Sequence, residues 1–257
     1  MKVCLLVTHR VNEAILRKYR RIEASFDGDT VLLIHAVSEI QTDLLQGIDY
    51  RLVTDSMLNE LKYTRFCDTL VPGSNHFLLL WFFLHAPAYE YYWNIEYDVD
   101  FSGRWQTFFL EIDGRIDADF ISSHILRPGD DPYWYWWNSF HTQTALPLDK
   151  RLRSFNPIYR ISRRALAYLD VFLKEGNWGH HEILIPTVLY HASFSLADFG
   201  GSGEFVPPEF REKFYLSDFR RYGIPGGTMR FRPAFDNRIM ELVKDKLIHP
   251  LKPLSDA

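Results

Sequence analysis

The stretch Tyr92-Trp93-Asn94-Ile95-Glu96-Tyr97-Asp98-Val99-Asp100 ends in two carboxylates separated by one residue. If the run stays extended, strand alternation places Asp98 and Asp100 on one face, where their oxygens converge on a hard cation. Mg²⁺ or Mn²⁺ suits such a pair, because these ions take few protein carboxylates and complete their shells with water and substrate phosphates. The plainer reading is a pair of solvated acids in the loop after a strand. The tripeptide spacing alone does not decide between them.

A second acid, Glu182, follows Asn177-Trp178-Gly179-His180-His181 and precedes the apolar run Ile183-Leu184-Ile185-Pro186-Thr187-Val188-Leu189. That pattern is a loop entering a buried helix, with Glu182 in the first turn. A carboxylate there can take a proton from a hydroxyl, or it can simply favour the helix N-terminus through the backbone dipole. His180 and His181 do not form His-Glu-x-x-His, which argues against a zinc hydrolase. Near the C-terminus, Leu247-Ile248-His249-Pro250-Leu251-Lys252 offers an imidazole and an ammonium group, or else a solvated tail. Gly200-Gly201-Ser202-Gly203 and Gly223-Ile224-Pro225-Gly226-Gly227, near Arg220, Arg221, Arg230 and Arg232, are loops able to close over a diphosphate or to serve only as connectors.

Five consecutive aromatics, Tyr133-Trp134-Tyr135-Trp136-Trp137, follow a Pro- and Gly-containing loop. They cannot all face one core. Flat faces with polar handles suit pyranose rings, and a structural seal between two lobes is the competing reading.

These groups need a scaffold, and the chain has the means to build one. Its 257 residues are 47% hydrophobic and 16% aromatic, enough for one large core. A net charge of -4 argues against a general nucleic-acid or anionic-membrane binder. Cys4 and Cys67 are far apart and lack metal-ligand spacing, which fits reduced thiols and a cytoplasmic protein. Lys2 followed at once by the strand-sized Val3-Cys4-Leu5-Leu6-Val7 leads us to expect no targeting segment here, and the run from Phe77 to Leu84 is too short to span a bilayer.

Strand patterns at 3–7, 31–34, 50–53, 69–71, 90–97 and 119–123 alternate with helical ones at 13–22, 55–61 and 75–85. An extended run over 154–162 and a helix over 163–174 follow. Alternation of this kind predicts a mostly parallel sheet flanked by helices, with ligands bound beyond the carboxyl ends of the strands. Asp98 and Asp100 fall at one such end and Thr8-His9-Arg10 at another. Neither Gly-x-Gly-x-x-Gly nor a P-loop is present, so any nucleotide is held otherwise.

Taken as an ordered set, these motifs resemble the GT-A glycosyltransferases. The resemblance implies an α/β, Rossmann-type mixed sheet flanked by helices. A nucleotide-sugar-binding half over 1–144 would be joined to an acceptor-binding half over 145–257 of the same compact domain. Asp98 and Asp100 match the family's Asp-x-Asp motif, and His249 is similar to the histidine that completes its metal site with Mn²⁺ or Mg²⁺. Thr8, His9 and Arg10, with Glu96 and Lys252, are implied as contacts to the nucleoside-diphosphate sugar. Glu182 is similar to the catalytic base of inverting members, with Tyr133, Trp134, Trp136, Trp178 and His181 beside the acceptor.

The expected activity is transfer of a sugar to a hydroxyl of a glycan or carrier-linked acceptor, a partnership compatible with peripheral membrane contact. His35-Ala36 stands where an acid often meets the nucleoside, and His181 where many members carry a second acid. A phosphodiesterase or nucleotidyltransferase using the same carboxylates, and a non-catalytic carbohydrate-binding protein, are the alternatives.

Overall fold

A computed structural model describes residues 1–218 and 226–252. Arg220, Arg221 and the Gly223-Ile224-Pro225 part of the expected glycine-rich loop lie outside the described residues. Seven strands form the main sheet: β1 (Lys2–Thr8), β2 (Asp29–His35), β3 (Tyr50–Val53), β4 (Tyr91–Glu96), β6 (Phe120–Leu126), β8 (Arg153–Ser162) and β10 (Leu196–Asp198). Two small ribbons accompany it, one of β5 (Asp100–Phe101) with β11 (Leu247–Ile248), the other of β7 (Phe140–His141) with β9 (Trp178–Gly179). The sheet order is β10-β6-β8-β4-β1-β2-β3. All neighbours run parallel except β8, which is antiparallel to both β4 and β6. The result is a mixed α/β sheet of Rossmann type.

Helices cover both faces: α1 (Glu13–Glu23), α2 (Asp55–Asn59), α3 (His76–His85), α4 (Trp105–Arg115), α5 (Arg163–Lys174), α6 (His181–His191) and the short α7 (Ile239–Leu242). Because side chains alternate along a strand, β1 sends Val3 and Leu5 into the core under α3, α5 and α6, and Cys4 and Leu6 into the core under α1 and α4. Burial on both faces is why these strands read as continuous apolar runs. It also explains α3, whose residues His76 to Phe82 are all buried, leaving no polar face. α1 is amphipathic instead and is capped by Asn12, whose side-chain oxygen accepts from the Ile15 amide at 3.0 Å.

Two expectations fail. Residues 69–71 form no strand, because Thr69 Oγ1 donates to the Val71 carbonyl at 2.7 Å, closing a local turn. Pro72 then lacks the amide a ladder needs. The strand expected to run to Tyr97 stops at Glu96, and a turn begins there. Among the described residues no helix is long and apolar enough to cross a membrane.

Candidate functional site

The turn after β4 decides which acids meet. Lys18, carried by α1, donates its ammonium group to the carbonyls of Tyr97 at 2.7 Å and Val99 at 2.6 Å, folding the chain around itself. Alternation is thereby lost. Asp100 turns away from the cavity beyond β4, and its carboxylate takes Arg21 at 2.6 Å, Lys18 at 3.6 Å and its neighbour's amide, that of Phe101, at 2.8 Å. The same-face pair of Asp98 and Asp100 therefore does not form, and Asp100 is an ion-pair anchor between α1 and β5.

Glu96, Asp98 and His249 come together instead, with one ligand atom from each lying within 4.8 Å of the others. The C-terminal segment delivers the histidine: β11 pairs with β5, and beyond it the Leu251 amide donates to the Asp98 carbonyl at 2.8 Å. His249 Nδ1 donates to the Arg230 carbonyl at 2.8 Å, so Nε2 is the nitrogen that faces Asp98. A backbone carbonyl on one ring nitrogen, orienting the other, is the usual support of a metal-ligating imidazole. Asp98 Oδ1 is buried without a hydrogen-bond partner, and lies 3.5 Å from His249 Nε2 without hydrogen-bond geometry. An orphaned carboxylate oxygen, a second carboxylate and an oriented imidazole fit a small divalent cation.

Charges around this cluster are displaced from their ordinary values. Burial and the Asp98 charge push the Glu96 carboxyl up to about 7, although Asn75 donates to it at 3.0 Å. Burial alone would also lift Asp98, but His249 and then Lys18 outweigh it and hold that carboxyl below the usual range. For His249 burial acts downward, and the neighbouring Asp98 and Glu96 carboxylates outweigh it, raising the imidazole.

Glu182 sits at the second position of α6, in the first helical turn as expected. Its approach depends on Gly179, where a Cβ would lie 2.4 Å from the Ser139 carbonyl. Only glycine allows that close approach of β9 to β7. His180 caps the helix, Nδ1 accepting from the Glu182 amide at 3.3 Å and lying 3.8 Å from the Glu182 carboxylate. Burial, with Glu96 adding to it, lifts the Glu182 carboxyl to about 7 against the pull of Arg153. Burial likewise pushes His76 and His180 down to about 3 and His181 well below its usual value, so all three imidazoles are neutral.

Two adjoining cavities share Val71, Asn75, Glu96, Asp98, Arg232 and Lys252. One, of about 340 Å³, contains Glu182 and His249 together with Trp136, His180 and His181. The other, of about 510 Å³, lies over the ends of β1 and β2 and is lined by Thr8, His9, His35 and Asp55. Arg10 stacks on the Tyr97 ring at 4.9 Å and lines neither.

The aromatic run divides. Tyr133 is 95% exposed, Trp134 covers Arg153, and Trp136 stacks on His180 with ring centres 4.8 Å apart. Trp137 is buried, donating its indole N–H to the Asp131 carbonyl at 2.7 Å. Trp178 stacks on His141 at 3.9 Å and faces neither cavity. Of the expected acceptor contacts, Trp136 and His181 line the cavity of Glu182, whereas Tyr133, Trp134 and Trp178 do not.

Sequence reasoning missed Asn75, Asp55 and Arg153. Asn75 precedes an apolar helix, where it reads as a cap, and only the fold carries its amide to Glu96. Asp55 reads as an ordinary first-turn acid. Its position beside His35, 3.5 Å from Nε2, follows from the adjacency of β2 and β3.

No protein-family model matches the chain, and no curated protein matches it. Solved structures similar to it include glycosyltransferases and nucleotidyltransferases. An active-site mutant of LgtC is 10% identical, with 91% of this chain and 88% of that one covered and a TM-score of 0.45. Core-mannan synthase A from Aspergillus fumigatus, in a Mn/GDP form, is 12% identical over 77% of this chain and 73% of its own, with a TM-score of 0.41. An inositol-1-phosphate CTP transferase from T. maritima is 10% identical over 80% of this chain and 90% of its own, with a TM-score of 0.42.

Proposed function

We propose that this chain is a metal-dependent glycosyltransferase that moves a sugar from a nucleoside-diphosphate sugar to a hydroxyl of a glycan or carrier-linked acceptor, with inversion. One observation carries the reading: the buried Glu182 carboxylate lines the same cavity as Glu96, Asp98 and His249. A base and a cation site facing one space are what displacement of a diphosphate by a hydroxyl requires. The donor half is assigned to residues 1–144, with the nucleoside against Thr8 and His9, and the acceptor half to 145–257. Lys252, which lines both cavities, is placed at the diphosphate.

Glu96, Asp98 and His249 are the residues that would hold Mn²⁺ or Mg²⁺. Bound there, the cation supplies positive charge against the charge building on the leaving diphosphate. Glu182 accepts the proton of the acceptor hydroxyl as its oxygen bonds to the anomeric carbon. The bond from that carbon to the diphosphate oxygen breaks, and its electron pair leaves with the nucleoside diphosphate. A carboxyl raised to about 7 by burial is matched to this task near neutral pH. Trp136 and His181 flank the acceptor. The test is product analysis with a panel of nucleotide sugars: release of nucleoside diphosphate supports the reading, and release of pyrophosphate or nucleoside monophosphate points to phosphoryl chemistry.

A further inference from the structure

The cavity of Glu182 joins buried polar groups to a rim where exposed apolar side chains sit beside the exposed Arg232. Its buried lining includes Glu182 and His249, but Val71 and Phe231 line it while remaining 61% and 75% exposed, and Pro72 beside Val71 is exposed too. Single exposed apolar side chains are ordinary, but several at one rim beside buried polar groups mark a binding surface. A sugar ring presents its C–H face to flat aromatics, a role Trp136 can fill. Val71 and Pro72 offer no such plane. Their aliphatic surface gains by covering alkyl groups, and both line the same cavity as Glu182.

We propose that the acceptor is an amphiphile, its reacting hydroxyl at Glu182 and an apolar aglycone lying across Val71, Pro72 and Phe231. This rests on the transferase reading and specifies its acceptor. Continuity with the cavity selects the acceptor's own tail over a separate partner, since Pro72 and Phe231 line the cavity of Glu182 and not the one over β1 and β2.

The test compares methyl and n-octyl β-glycosides of glucose and galactose, below their micellar concentrations and with Mn²⁺, on wild type and a Phe231→Ser variant. Phe231 is exposed, lines the cavity of Glu182 and not the one over β1 and β2, and lies outside the catalytic and metal groups, so folding is preserved. At least one octyl glycoside should bind ~10-fold or more tightly than its methyl counterpart, the gain expected from covering about two methylene groups. In the variant that gap should shrink below ~3-fold, with metal-dependent nucleoside-diphosphate binding unchanged.

Absence of octyl glycoside binding, equal binding of the two, or a gap that survives the variant overturns the proposal. So does co-sedimentation with sugar-free lipid vesicles that the variant abolishes, which would make the occupant a bilayer. An octyl preference in wild type without metal-dependent binding of any nucleoside diphosphate would overturn the transferase reading alone.

Discussion

His249 Nε2 lies 3.5 Å from Asp98 Oδ1, and a carbonyl bond on the other ring nitrogen keeps it pointed there. The two residues are distant in sequence, joined where β11 meets β5. In the absence of cation they form a titratable ion pair. His249 is raised in the folded state, so its contribution to stability is complete below its ordinary value of 6.5 and disappears as pH rises through the folded value. Asp98 is lowered, so its contribution is present above 3.8 and disappears as pH falls through the folded value. Chemical denaturation in chelator should therefore show stability from this pair between those limits, and His249→Ala should flatten the profile. An unchanged profile would mean the pair is not coupled.

At the proposed site Mn²⁺ would compete with the proton on His249. Its binding should release protons and weaken as pH falls below the histidine's raised value, a trend read by calorimetry in buffers of different ionisation enthalpy.

Asp98 and Asp100 should separate cleanly in mutants. Asp98→Asn should weaken Mn²⁺ binding by about tenfold or more, since loss of even an outer-shell partner of a metal ligand typically costs that much. Asp100→Ala should leave it within ~2-fold but destabilise the fold by about 1–3 kcal/mol, since it strips a partner from the buried Lys18 and from Arg21. Equal effects of the two changes on Mn²⁺ affinity would restore the paired-carboxylate site.

Glu182→Gln should lower transfer by ~10² to 10⁴-fold with donor affinity unaltered. The base acts ionised, so the wild-type rate should climb with pH and level off near the carboxyl's value of about 7, or lower once a cation is bound. The variant should lack that ascending limb. A near-normal rate would reduce Glu182 to a helix-terminal acid.

Trp136→Ala should raise KM for the acceptor, whereas Tyr133→Ala and Trp178→Ala should leave transfer kinetics within ~2-fold. A large loss in either of the latter would place the acceptor along a different face.

Regular elements were readable where one force dominated. Strands β1 and β2 are buried on both faces and show as apolar runs, and α5 shows both its periodicity and its Ser162 cap, which accepts from the Ala165 amide at 3.3 Å. Asp98 was readable as a strand-end acid for the same reason. Asp100 was misplaced because alternation assumes that the strand continues, and the interruption comes from Lys18, 79 residues upstream of Tyr97. Glu96 was expected among the donor contacts, and its convergence with His249 depends on a short C-terminal ribbon with too few residues to carry a period. Likewise, Trp178 sits in the run leading to Glu182 but packs on His141, a neighbour set by the pairing of β7 with β9.

The most direct measurement is a thermal-shift panel of nucleoside diphosphates with Mn²⁺, Mg²⁺ and chelator, on wild type and Asp98→Asn. Ligand at a hundred times its Kd stabilises the native state by about 2.7 kcal/mol, a readily seen rise in Tm. The account predicts a rise with at least one diphosphate that requires metal and is lost in the variant. A rise that persists in chelator, or none with any diphosphate, would contradict a cation site at Glu96, Asp98 and His249 that serves a nucleotide-linked donor.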